Sequence, residues 1–106
     1  MRYIGERSND PALLVMTSLA DGPKHGYAIT VDVEDFAGVR LGPGTLYGAL
    51  SRLESKGLIE ALPADDRRRP YRLTADGSAA LEHELQKLHS VSTRGLARLQ
   101  TAEVAR

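Results

Sequence analysis

The stretch GPGTLYGALSRLESKGLI, residues 42 to 59, opens on a Gly-Pro-Gly turn, takes up a helical period and ends at a glycine before an apolar pair. Pro43 suits a first helical turn, where its missing N–H leaves no bond unmade. Leu46, Ala49, Leu50 and Leu53 then fall at i, i+3, i+4 and i+7 and form one buried stripe. What remains outside is Gly44, Thr45, Tyr47, Gly48, Ser51, Arg52, Ser55 and Lys56, with Glu54 only at the edge. This outer surface is small, hydroxylated or basic, and is built to be approached closely.

Working outward, Gly57 supplies the stop. LIEALPA and YRLT then read as two strands joined by the turn DDRRRP. Leu58, Glu60 and Leu62 give the first strand its alternation, which Ile59 blurs. Two strands alone are marginal, so the hairpin has to lean on the helices. Upstream, a capping Asp10 and Pro11 predict a first helix over 11–20. Leu13, Leu14, Met16 and Leu19 make it apolar over most of its circumference, as befits a central helix. DGPK breaks it, and a second helix follows from His25 to Ala37 without a good cap. Its apolar face is Ile29, Val33 and Phe36, and Gly38 ends it. Downstream, Thr74 caps a last helix running through Gln100. The start, MRYIGERSN, has no period and is predicted as a flexible arm over residues 1–9. That leaves a domain over 10–74 and a C-terminal helix and tail over 75–106.

A chain of 106 residues has apolar content for one core and no second domain. Its 14 basic and 14 acidic side chains cancel overall but not locally. Residues 1–37 hold three basic and six acidic groups, 38–74 hold seven and four, and 75–106 hold four and four. Positive charge therefore gathers in the middle. The absence of cysteine removes disulfides, thiolate catalysis and cysteine-based metal sites. No apolar run approaches the length of a bilayer span, and the start lacks the apolar stretch of a secretion signal. The expectation is a cytoplasmic chain with no membrane partner.

Three helices followed by a hairpin is the order of a winged helix-turn-helix, a mainly α fold with a small β-hairpin. The third helix is packed on one side by the first two and open on the other, where it can enter a major groove. Arg67, Arg68, Arg69 and the strand residue Arg72 would then reach the neighbouring backbone or minor groove. The bland reading of the arginine run is a solvated turn, with Asp65 and Asp66 partly cancelling its field. Tyr47 either seals the third helix to the wing or meets a phosphate through its hydroxyl. Tyr27, at a helix start, is expected in the core.

Other chemistries fail on spacing. His83, Glu84 and His89 suggest a metal site, but an HExxH helix needs its second histidine at i+4, which is Lys87. Ser8, Ser18, Ser51 and Thr74 have no evident histidine and carboxylate partners, and the glycines near Gly42 lack the lysine of a phosphate loop. No metal, cofactor or enzyme activity is expected. On the last helix, Leu81, Leu85, Leu88 and Leu99 repeat at alternating steps of four and three once Ser92 and Gly95 are counted, and Val91 and Leu96 widen the stripe. Leu81 and Leu85 can pack on the first helix or on a second copy. Beyond Leu88 the domain is out of reach, so Val91, Leu96 and Leu99 call for a partner chain.

LADGPKHGYAI, LGPGTLYGALSRLESKGLIE and RRRPYRLTADGSAAL together resemble, in order, the PadR family of bacterial transcription regulators over about two thirds of the chain. The resemblance implies a homodimeric winged-helix protein that binds a double-stranded, pseudo-palindromic DNA operator. It further implies a repressor released by a small-molecule effector or a stress signal. By position, Thr45 and Tyr47 correspond to recognition-helix residues and Arg67, Arg68 and Arg69 to the wing tip, while the single C-terminal helix corresponds to the dimerisation element. Ser51, Arg52 and Lys56 join the DNA-facing set from their place on the open face. The alternative is a winged helix serving as a protein-interaction module, which would expose apolar anchors on its third helix.

Overall fold

The computed structural model describes residues 9 to 105. Asp10 and Pro11 begin helix α1, Pro11–Leu19, with the Asp10 carboxylate accepting from the Ala12 N–H at 3.2 Å. Leu13, Leu14, Val15, Met16 and Leu19 are all buried, so α1 is the central helix. It lies against α2, Gly26–Ala37, and α3, Pro43–Ser55. The buried Ser18 hydroxyl on α1 donates to Asp32 Oδ2 on α2 at 2.7 Å, a polar link inside an otherwise apolar seam. From α3 come the four predicted stripe residues Leu46, Ala49, Leu50 and Leu53. Each buried leucine of this kind stabilises the fold by about 1.5–3 kcal/mol. Phe36, expected inside with Ile29 and Val33, is instead exposed, because the inward face runs Ile29, Val33, Ala37 in steps of four and leaves Phe36 to its side. Gly38 ends α2 at φ 67 with its N–H donated to the Glu34 carbonyl.

The hairpin is not alone. Residues after Pro23 stay extended for a short strand β1, Lys24–His25, before α2 begins at Gly26. This strand pairs with β3, Pro70–Leu73, which pairs in turn with β2, Ile59–Ala61, giving an antiparallel sheet in the order β1-β3-β2. The third strand supplies the support that two strands would lack. It also corrects the helix start expected at His25: that residue is the N-cap, with Nδ1 placed 3.4 Å from the Ala28 amide nitrogen. The alternation expected from Leu58, Glu60 and Leu62 is not seen, and Leu58 and Ile59 both pack inward. Ile59 is the buried residue of β2, whereas Glu60 stands opposite Arg72 and binds its Nε at 2.6 Å. Arg72 is therefore held by Glu60 and does not join the other arginines of the hairpin.

Thr74 opens the last helix, α4, Ala75–Ala105, by accepting from the Gly77 N–H at 3.0 Å and donating to the Gly57 carbonyl at 2.7 Å. Helix and sheet are so close here that a Cβ on Gly77 would lie 1.8 Å from the Leu58 carbonyl oxygen. That oxygen also accepts from the Thr74 N–H, so it cannot yield without breaking the junction. Gly77→Ala is expected to lower unfolding free energy by about 1–3 kcal/mol, the usual range for overpacking. An unchanged urea midpoint would refute this contact.

Leu81 is only 4% exposed and belongs to the protein's own core, and Leu88 packs at its margin. Past that point α4 stands free of the body, which gives the molecule extents of 60 × 26 × 20 Å. Val91, Leu96 and Leu99 are 72%, 62% and 65% exposed, and Leu85 is exposed at the edge of the body. The arm expected over residues 1–9 lies, apart from Asn9, outside the described residues. Among those described, no helix is long and apolar enough to cross a membrane.

Candidate nucleic-acid interface

Helix α3 begins at Gly42 without a side-chain cap and carries no acid in its first turn. Its first N–H groups lack intrahelical partners and sit at the positive end of the helix dipole. Along the outer face Gly44, Thr45, Tyr47, Ser51, Arg52, Ser55 and Lys56 are exposed, as the sequence predicts. Gly48 lies among them, half-buried, with only the Arg52 guanidinium near the place of a Cβ, at 3.5 Å.

Tyr47 packs on the start of α2 and still faces solvent. Its ring leans over the start of α2, where a Cβ on Gly26 would meet its hydroxyl at 2.6 Å, yet the residue remains 54% exposed. The glycine in HGY is thus the slot that receives Tyr47. Tyr27 is 75% exposed, which corrects its expected place in the core. The position beneath the start of α2 is filled by Leu46 and Tyr47 from α3, so Tyr27 turns outward.

The segment DDRRRP is more ordered than a loop. Asp65 and Arg68 face each other across two bonds, Asp65 N–H to Arg68 O at 2.7 Å and Arg68 N–H to Asp65 O at 2.8 Å. Asp66 and Arg67 form the two-residue turn between them, at φ 51 and φ 69. Positive φ at both central positions marks the turn type whose twist matches that of the flanking strands. All three arginines Arg67, Arg68 and Arg69 are exposed at the tip.

Wing and helices together enclose a cleft of about 320 Å³ lined by His25, Gly26, Tyr27, Tyr47, Arg67, Arg68, Arg69 and Tyr71. Burial, followed by the charges of Glu54 and Tyr47, raises the Tyr71 phenol above its ordinary pKa, with Arg69 opposing. Tyr71 is therefore a neutral hydroxyl among three guanidinium groups at physiological pH. Asp65 and Asp66 line a neighbouring hollow with Lys24 and His25, apart from Tyr47. The acids and most of the arginine charge are thus presented on different sides of the tip.

Two residues absent from the sequence-predicted set stand beside this surface. Tyr27 lines the cleft, and Arg40 joins Tyr27, Thr30 and Tyr47 around an adjoining hollow at the start of α3. Arg40 stands two residues after the Gly38 stop, in the turn between two helices, where no sequence pattern marks it. His83 and His89 are both exposed on α4, and among the described residues no group of three His, Cys, Asp or Glu could hold a metal ion. The residues proposed from sequence for self-association divide: Leu81 is internal, Leu88 marginal, and Leu85, Val91, Leu96 and Leu99 are on the surface.

Similarity to other proteins covers most of the chain. The chain is 39% identical over 83 residues to the transcriptional regulator Rv3488 of Mycobacterium tuberculosis, covering 76% of this chain and 77% of that protein. It is 50% identical over 88 residues to an uncharacterized 37.1 kDa protein in a transposon of Streptomyces fradiae, spanning 83% of this chain but only 26% of that relative. A PadR family transcription regulator from Clostridium difficile has a similar solved structure, with a TM-score of 0.72 at 30% identity, covering 78% of this chain and 91% of that one. With residues 15–83 matching the model of the transcriptional regulator PadR-like family, from the middle of α1 into α4, the chain belongs to that family.

Proposed function

We propose that this protein binds a double-stranded, pseudo-palindromic DNA operator as a homodimer and regulates transcription from it. Helix α3 enters the major groove through Thr45, Tyr47, Ser51, Arg52 and Lys56, and the wing meets the sugar-phosphate backbone through Arg67, Arg68 and Arg69. Residues 10–74 would be the reading unit and α4 the clamp between copies. The observation that carries this reading is the α3 outer face, which holds no acid in its first turn and continues into a cleft with three arginines. The family resemblance supports a repressor released by a small-molecule effector or a stress signal, acting in the cytoplasm. Among the α3 side chains on that face only Tyr47 is a large exposed apolar group, which disfavours the alternative of a protein-docking module.

The test is an anisotropy titration on DNA from the protein's own promoter region. Arg52→Ala is expected to weaken specific binding by about 1–3 kcal/mol, the worth of a bidentate contact to a base. Unaltered affinity in a folded Tyr47→Ala, Arg52→Ala double variant would reject this face. Gly48→Ala separates folding from contact. The added methyl meets only Arg52, so the helix should gain about 0.5–1 kcal/mol of stability from removing a mid-helix glycine. DNA affinity should fall nevertheless, because the methyl stands where the groove approaches. A variant that is more stable and binds as well as the original would show that α3 is not approached closely at Gly48.

A further inference from the structure

His25 joins three parts of the molecule. Its backbone pairs with Pro70 in the β1–β3 ladder, its Nδ1 lies 3.4 Å from the Ala28 amide nitrogen, and its Nε2 lies 3.4 Å from Arg68 Nη1 at the wing tip. The two side-chain contacts make opposite demands on the ring. A guanidinium only donates, so the Arg68 contact requires a bare Nε2; the Ala28 N–H only donates, so the cap requires a bare Nδ1. A neutral imidazole has one bare nitrogen and one N–H, and a protonated one has no bare nitrogen. The ring can therefore hold the wing or cap α2, but not both.

We infer that His25 is a positioning residue that exchanges its hold on Arg68 for a hold on the first turn of α2 by moving its proton from Nδ1 to Nε2. The inference rests on the reading above, in which Arg68 turns to a DNA phosphate. Once it does, Nε2 takes up the proton that Nδ1 releases through solvent, and Nδ1 becomes a full N-cap. Net charge on the ring is unchanged. Lys24, Asp65 and Asp66 line the hollow on one side of the ring and Arg67, Arg69, Tyr47 and Tyr71 the cleft on the other. Engagement of the wing would in this way tighten the start of α2, which carries Tyr27 and the Gly26 slot beneath Tyr47.

The exchange is read directly from the imidazole nitrogens of ¹⁵N-labelled protein, at a pH where the ring is neutral. His25→Asn, which retains a capping side chain, assigns the His25 signals against those of His83 and His89. In free protein, Arg68→Ala should drive His25 wholly to the form with a bare Nδ1 and a protonated Nε2. Adding a short duplex of mixed sequence at low salt to the unaltered protein should move the signals the same way and slow exchange of the Ala28 amide several-fold. Nitrogen signals unmoved by Arg68→Ala overturn the inference. Signals moved by Arg68→Ala but not by a duplex that anisotropy shows to be bound overturn the link to DNA. A duplex that does not bind at all is a failure of the proposed function, and the Arg68→Ala result still decides the exchange.

Discussion

Replacing Arg67, Arg68 and Arg69 together with Ala is expected to lower affinity for every duplex and to flatten its salt dependence. The slope of log affinity against log salt should fall by about 0.9 for each phosphate contact removed. Discrimination between operator and mixed DNA should be largely kept, since backbone contacts fix position without reading sequence. The geometry leaves the turn itself intact, although the contact of Arg68 with His25 is lost. All three side chains are exposed at the tip, and the turn is held by main-chain bonds between Asp65 and Arg68 that alanine retains. One backbone effect needs a control, because Arg67 sits at φ 69, where a side chain with a Cβ is strained by about 1–2 kcal/mol. Alanine keeps that strain. Arg67→Gly relieves it while deleting the same charge, so a more stable protein with a reduced salt slope would assign the loss to charge and not to a collapsed wing. If the slope is the same with and without the three arginines, the run is a solvated turn.

The helices were legible because their signals are local. Asp10 with Pro11, the α3 stripe, Gly38 and Thr74 each act within one turn of the residue that carries the information. The sheet was less so. Lys24 and His25 have no strand pattern of their own, and become a strand only because Tyr71 and Pro70 arrive beside them from the far side of the chain. Ile59 blurred the strand pattern for a similar reason: Leu58 and Ile59 both pack inward, which depends on the helices that cover the sheet.

At the interface, the composition of the α3 face could be read directly, but the fate of each charge could not. Arg72 looked equivalent to Arg67, Arg68 and Arg69 until cross-strand register placed it opposite Glu60. Tyr27 was assigned inward from its place at a helix start, whereas its outward turn follows from Tyr47 filling the space over Gly26, a contact between residues far apart in sequence. Arg40 was passed over because a single cation in a turn has no pattern to mark it. Its meaning comes from the hollow it shares with two tyrosines.

Substituting Val91, Leu96 and Leu99 on α4 with Gln is expected to convert a dimer into a monomer with poor operator affinity and an intact winged-helix body. Leu88 is best left in place, since it packs at the margin of the protein's own core and its loss would confuse folding with association. The three chosen residues are 72%, 62% and 65% exposed on the single copy, so in a monomer their replacement should change stability by no more than about 0.5 kcal/mol. Covered by a second copy they carry far more. A buried side chain of this size is worth about 1.5–3 kcal/mol, the loss is incurred on both protomers, and a micromolar dimer is held by only about 8 kcal/mol. Partial burial of three residues per copy is thus enough to decide the assembly. In the proposed reading recognition depends on it, because one winged helix would read a short half-site, while two at fixed separation would read half-sites about 34–36 Å apart. The free half of α4, with Ser92 and Gly95 between its apolar residues, offers small positions where a second helix can approach closely. Light scattering at micromolar concentration, circular dichroism and an operator titration on the same samples test each link. A monomeric unaltered protein, or a triple variant that remains dimeric, would remove α4 from the mechanism.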